Sequence, residues 1–330
     1  MRKAVRLFVA LTALGCPVGA GACGSRTGLL VPPPPSDAST VDHSSPDSSE
    51  EPDAPQDAEA SFDAPDVHDV IIPDGPDICP DSGSTLVYVI TESNDLYSFY
   101  PPTLAFTLIG TLSCTATPGV TPFSMAVDRQ GIGRSVFSDG TLYLVDMGTA
   151  ACASTGFQTD QSGFLTFCMG YAADSADGGD GGETLYVAEC SATMGAPRPN
   201  SRGLATVDTT SLHLSFVAPF TPPIPGPELT GTGDGRLYGF YTNAFGSGSH
   251  IVQIDRGAGV ILQDFPLQVG TPLDGYAFAF WGGVFWVFTF SNQSPATIVT
   301  RFDPVTRSET MVTTMPEGVV GAGVSTCAPM

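Results

Sequence analysis

From residue 85 onward, short apolar runs bounded by turn residues recur along the chain: LVYVI, LYSFY, TLYLVD, TLYVAEC, RLYGFY, HIVQID and TIVTRFD. They are rich in Val, Ile, Tyr and Phe, and no segment of ten or more residues keeps a helical period. Such runs at regular spacing predict an all-β domain: a sandwich, a barrel or a propeller. The stretch YAFAFWGGVFWVFTF is apolar enough to suggest a membrane span, but it is 15 residues long with Gly282-Gly283 at its middle. A span needs about 20 residues, whereas Gly-Gly between aromatic and β-branched runs reads as a β-hairpin.

A repeat decides among the all-β architectures. Five times a strand ends in an apolar residue, then Asp or Tyr, a short turn and a further strand, with markers at Tyr100, Asp146, Asp208, Asp255 and Asp303. Their separations are 46, 62, 47 and 48 residues. A period of about 40 to 50 residues with four strands per repeat is that of a propeller blade. The Asp accounts for itself structurally, because its carboxylate accepts the backbone N–H two residues on and closes an Asx-turn. The turn FDPVT resembles the strand-to-strand turn of YVTN- and quinoprotein-type propellers, which implies the same fold. The long interval is assigned to an insertion in the third repeat, DSADGGDGGE, residues 174–183. The first repeat has only three strands, and GVVGAGVSTC near residue 320 supplies the missing inner one. The expected fold is therefore a five-bladed β-propeller of four-stranded antiparallel blades, closed by sharing one blade between the N- and C-terminal strands, an arrangement that removes the exposed edge.

Upstream the pattern changes. Met1-Arg2-Lys3 and Arg6 precede an uncharged apolar segment, Leu7 to about Val18, which is a signal-peptide pattern. Small residues then lead into Cys16 and again into Cys23, and both sites resemble the lipobox of bacterial lipoproteins. Residues 1–22 are read as the leader, with Cys23 as the lipid-bearing residue and Cys16 as the alternative. Residues 23–84 hold runs such as VPPPPSDAST and SSPDSSEEPDAPQDAEA, and no Lys or Arg lies between Arg26 and Arg129. That composition predicts a disordered, self-repelling acidic tether. The combination of CGSRTGLLVPPPP with this tether resembles exported lipoproteins of a myxobacterial type. The resemblance implies localisation to the outer membrane or periplasm and, for the membrane, contact through the lipid anchor only. The propeller is assigned to residues 85–330.

Eight cysteines occur. Lipidation of Cys23 removes Cys16 with the leader and leaves six, an even number suited to an oxidising compartment. Cys79 precedes the first blade and Cys327 ends the closing strand, so Cys79–Cys327 would staple the ring. Cys168–Cys190 would bridge paired strands of blade three, and Cys114–Cys152 would join outer strands of neighbouring blades. Six cysteines admit about fifteen pairings, and these three are the ones the repeat favours.

Charge and chemistry narrow the function classes. The formal net charge is −22 and Lys is absent after Lys3, which excludes nucleic acid as a partner, because such binding needs clustered Lys and Arg. No GxSxG, HExxH or CxxC occurs, so no visible frame supports a serine hydrolase or a zinc centre. His43 and His68 fall in the tether, leaving His213 and His250 isolated in the folded region. Asp174, Asp177, Asp180 and Glu183 recur at three-residue spacing in Gly-rich chain. A solvated hairpin loop explains them more simply, with calcium, a cation that takes oxygen ligands from flexible loops, as the alternative and no other cofactor expected. Asp128, Glu189, Asp234 and Asp274 sit near predicted inner strands and are the candidates for a carboxylate pair of the glycosidase kind. Phe280, Trp281, Phe285 and Trp286 would offer a stacking platform for sugar, or pack between blades. The expected function is a non-catalytic, monomeric envelope lipoprotein whose propeller binds protein or glycan. The alternative is a glycan-directed hydrolase with carboxylates in the propeller channel.

Overall fold

The computed structural model describes Cys79 and residues 85–175, 182–190, 192–193, 196–197, 200–243, 248–269, 273–291 and 294–330. All of these fall within one compact unit, Phe62–Met330. The leader, Cys16, Cys23, the tether apart from Cys79, and Asp177 and Asp180 lie outside the described residues.

Blade one contains β1 (Val87–Thr91), β2 (Asp95–Tyr100) and β3 (Ala105–Thr111). Blade two is β4 (Pro122–Val127), β5 (Ile132–Phe137), β6 (Leu142–Asp146) and β7 (Cys152–Ser154). Blade three opens with β8 (Phe167–Ala173) and β9 (Glu183–Glu189). A small hairpin, β10 (Ala192–Thr193) and β11 (Ala196–Pro197), precedes its outer strands β12 (Leu204–Val207) and β13 (Leu214–Ala218). Blade four is β14 (Glu228–Gly231), β15 (Leu237–Thr242), β16 (Ser249–Ile254) and β17 (Ile261–Leu267). Blade five is β18 (Gly275–Trp281), β19 (Val284–Ser291), β20 (Ser294–Asp303) and β21 (Ser308–Met315), and β22 (Val319–Val324) follows. β22 pairs antiparallel with β1, Val87 opposite Val324 and Ile90 opposite Gly321, and becomes the inner strand of blade one. The fold is the five-bladed propeller, all antiparallel and closed by strands from both ends of the folded region.

Closure is also visible in the packing. Five buried apolar clusters fill the five blade interfaces. Phe280 and Phe285 belong to the cluster between blades four and five, and Trp286 to the one between five and one, with Trp281 at its margin. The aromatics of the GlyGly hairpin are thus interblade core. Burying a side chain such as Phe99 or Phe285 contributes about 1.5–3 kcal/mol, and both are fully buried. Near the axis, space is short: a Cβ on Gly170 of β8 would sit 2.6 Å from the Leu229 carbonyl oxygen of β14, so only glycine lets these inner strands approach.

Four markers close the turns expected of them. Asp146, Asp208, Asp255 and Asp303 each accept the amide two residues on, at 2.8, 3.0, 2.9 and 2.9 Å, and also the amide three residues on. In all five blades the residue four after the marker adopts positive φ: Leu104, Ala150, Leu212, Gly259 and Arg307, between 57° and 66°. In blades two, three and four that residue turns its carbonyl toward the preceding blade. Ala150 O accepts the Ser113 amide at 3.3 Å and Gly259 O the Thr221 amide at 3.1 Å. Leu212 O accepts the Gln161 side-chain amide at 2.9 Å. In these three blades the turn therefore clamps the rim of the ring as well as reversing the chain.

The outer edges are protected from pairing with other chains. Register shifts interrupt the outermost pairing of blades one, three, four and five, and such bulges twist an edge away from partners. In blade two the short β7 is flanked by the connection after β3, where the Ser113 hydroxyl accepts the Cys152 amide at 3.2 Å. The disulfides are Cys79–Cys327, Cys114–Cys152 and Cys168–Cys190, with Cα–Cα distances of 5.2, 4.7 and 5.7 Å. Cys114, expected on an outer strand, lies instead in this connection, because β3 ends at Thr111. The 62-residue interval has more than one source. Besides the acidic hairpin, the β7–β8 connection and the β9–β12 connection with its own hairpin are long.

Three disulfides indicate an oxidising environment, extracellular or periplasmic. Among the described residues no helix is long and apolar enough to cross a membrane.

Candidate functional site

The inner strands β22, β4, β8, β14 and β18 surround the axis and run in one direction, since each opens the four-stranded meander of its blade or, for β22, stands in for that strand. The end where they begin is termed upper, and the end where they finish lower. The four candidate carboxylates divide between these two ends.

Asp128 and Asp234 are at the lower end, in the turns after β4 and β14. Asp128 Oδ1 accepts the Gln130 and Ile132 amides at 3.1 and 2.8 Å, and its Oδ2 accepts from Arg134 Nη1 at 2.8 Å. Arg134 also donates to the Tyr171 hydroxyl at 2.5 Å. Asp234 pairs with Arg236 at 2.7 Å and accepts from the Thr232 hydroxyl. Burial works to raise its pKa, but these hydrogen bonds and the guanidinium outweigh it and hold the carboxyl below its ordinary value. Both aspartates serve their turns.

Residues 325–330 cross this lower end. Arg129 Nε donates to the Thr326 hydroxyl at 2.8 Å, which donates to Glu183 Oε2 at 2.8 Å. The Arg129 amide reaches Glu183 Oε1 at 2.7 Å. Farther along, the Gly282 amide donates to Pro329 O at 2.7 Å. Blades two, three and five are thereby fastened to one segment, which Cys327 ties to Cys79. Desolvation lifts the Glu183 pKa to about 7 against the pull of its hydrogen bonds. Of the acidic hairpin, Asp174 Oδ1 accepts from the Thr184 hydroxyl at 2.7 Å, while Glu183 is engaged by Arg129 and Thr326. Among the described residues no group of three or more potential metal ligands forms.

Glu189 and Asp274 are at the upper end. Glu189, at the end of β9, is 1% exposed and accepts the Arg202 amide at 3.1 Å. Asp274 precedes β18 and is exposed. The four candidates thus divide two to each end. Sequence reasoning missed Glu228, the first residue of β14, which is 3% exposed. Its Oε2 accepts from the Ser124 hydroxyl of β4 at 2.9 Å, and Ser124 in turn accepts the Met169 amide of β8 at 3.1 Å. Burial pushes the Glu228 carboxyl well above the ordinary carboxylate range, with only the Ser124 bond opposing. Tyr276 of β18 is raised by its own burial and by the nearby Glu228. The available signal was positional: Glu228 opens an inner strand directly after the turn-rich PPIPGP.

The two histidines of the folded region remain apart from both ends of the axis. His250 lies between Asp264 Oδ1 at 2.8 Å and Asn243 Nδ2 at 3.0 Å, stacked on Tyr241. His213 is exposed beside the turn of blade three.

No family model matches the chain, and no curated protein sequence matches it. Among solved structures it is similar to a chain of a nidogen/laminin complex, with 14% identity, 74% of this chain and 81% of that chain covered, and a TM-score of 0.43. It is also similar to a hydrazine synthase of Kuenenia stuttgartiensis, with 15% identity, coverage of 71% and 64%, and a TM-score of 0.39. TolB from Acinetobacter baumannii gives 12% identity, coverage of 73% and 56%, and a TM-score of 0.39. At these identities and scores the likenesses carry nothing about the chemistry of this chain.

Proposed function

We propose that this chain is an exported lipoprotein, anchored through Cys23, whose propeller is displayed on the acidic tether to bind an envelope protein or glycan. The observation that carries the reading is the division of the acidic side chains. Asp128 and Asp234 are held by turn amides and arginines at the lower end, where residues 325–330 cross, while Glu189 and Asp274 stand at the other. A glycosidase pair must flank one bond at a separation of about 5–10 Å; the lower two are already committed to turns and arginines, and Glu189 of the upper two is 1% exposed, which supports binding over hydrolysis. Three disulfides and edge-protecting bulges suit a protein displayed outside the cytoplasm. The protein acts as a monomer, meets the membrane through its lipid alone, binds no nucleic acid and needs no cofactor.

The test incubates the purified protein with isolated envelope polysaccharide and with the corresponding envelope protein fraction, and measures cosedimentation beside release of reducing sugar. Saturable cosedimentation without sugar release supports the binding reading. Sugar release that is abolished in Glu189→Gln replaces it with the hydrolase.

A further inference from the structure

Glu228 is the buried acid for which the proposed function has no use. It projects from the inner strand of blade four to Ser124 on the inner strand of blade two, and the same hydroxyl holds the Met169 amide of blade three. One carboxyl therefore links three blades across the axis. No ion pair reaches it among the described residues. The elements packed around it supply no cation. β4 and β22 contain no acid, His or Tyr, and the Arg of β5 is bound at the lower end. Cys168 of β8 is in a disulfide, and Tyr171 of β8 lies toward the lower end against Arg134. β15 offers Tyr238 and Tyr241, and β18 offers Tyr276, all of them groups that are neutral when protonated, while Glu189 at the end of β9 and Asp274 before β18 are acids at the same end and add no cation. A carboxylate charge at such a site has one hydroxyl to replace its water shell, and burying a charge without a partner is strongly unfavourable.

We propose that Glu228 is a proton-controlled lock on the ring: as a neutral carboxylic acid it holds blades two, three and four together at the upper end, and losing its proton releases them. In the locked state the Ser124 hydroxyl donates to Glu228 Oε2, and the carboxyl keeps its own proton. Hydroxide takes the carboxylic proton as water and leaves a carboxylate; the Ser124 hydroxyl alone cannot replace its water shell, so water enters at the axis and competes for the Met169–Ser124 bond. The ring is thus rigid while Glu228 keeps its proton and loosens as rising pH removes it, a change of medium that a protein outside the cytoplasm meets directly. The direction of the Glu228 shift agrees with this.

Hydrogen exchange at the Met169 amide of the intact wild-type protein tests the lock, read from about pH 6 to 9. Intrinsic exchange rises tenfold per pH unit in this range, and the proposal requires a steeper rise at Met169 that the outer-strand amides do not share. A slope equal to the intrinsic one overturns it. Denaturant midpoints of wild type and Glu228→Gln, measured across the same range, give a second reading. The midpoint of the wild type should fall relative to that of the variant as pH rises, whereas parallel profiles overturn the proposal. Glu183→Gln serves as the background for both, so that the titration of Glu183 at the lower end is not read as that of Glu228.

Discussion

Removing the Cys79–Cys327 bond, as the double variant Cys79→Ser/Cys327→Ser so that no odd thiol remains, should cost more stability than removing either other bridge. The bond joins residues 248 apart and spans the closure of the ring. In the chain-entropy account, a disulfide stabilises by restricting the unfolded chain in proportion to the logarithm of the loop it closes. Cys114–Cys152 and Cys168–Cys190 close separations of 38 and 22 residues. The resulting contributions are about 5, about 4 and about 3 kcal/mol in that order. For a domain of this size roughly 2–4 °C of melting temperature follows each kcal/mol, so the ring staple corresponds to roughly 10–20 °C. Its loss also frees residues 325–330, whose Thr326 links Arg129 to Glu183. Calorimetry of the three double variants at equal pH and protein concentration measures the ranking. If the ring-staple variant melts above the Cys168/Cys190 variant, the closure does not restrict the unfolded chain as argued, and the reasoning fails.

Asp255→Ala removes the acceptor of the Gly257 and Ala258 amides; by analogy with helix caps it should cost about 1 kcal/mol, read as a lowered denaturant midpoint. The equivalent left-handed positions should respond differently. Ala150→Gly relieves a positive φ of 61° while losing only one buried methyl and should stay within about 1 kcal/mol of neutral, whereas Gly259→Ala must place a Cβ 2.7 Å from Pro219 O and should destabilise. For Glu183, a pKa raised to about 7 means the folded state holds a proton that the unfolded state releases near its ordinary value of 4.5. Its stabilisation is complete below that ordinary value and is lost as pH rises to about 7, on the order of 3 kcal/mol; Glu183→Gln should flatten the stability profile across that window. Metabolic labelling with a tagged fatty acid should mark wild type and Cys16→Ser but not Cys23→Ser, and label retained by Cys23→Ser refutes the anchor assignment.

What could be read along the chain was what is local and periodic. Asp146, Asp208, Asp255 and Asp303 each fold their own turn with amides two and three residues away, so their spacing of 62, 47 and 48 residues reports the blades directly. The shared blade followed from counting strands, and the cysteine pairs from their places within that count. Contacts between blades are of another kind. A five-membered ring of twisted sheets decides which inner-strand residue meets which, and no period in the chain encodes that twist. Glu228 and Ser124 are 104 residues apart and meet only because β8 stands between their strands. Thr326 finds Glu183 143 residues away only because the closing strand delivers it to the lower end. The carboxylates Asp128, Glu189, Asp234 and Asp274 look alike in the sequence, yet the direction of the inner strands sends two to each end. The left-handed carbonyls of Ala150, Leu212 and Gly259 become rim clamps only once a preceding blade presents them with a donor. Local turn chemistry therefore announces the propeller, while the chemistry of its axis arises from side chains that the closed ring alone brings within reach.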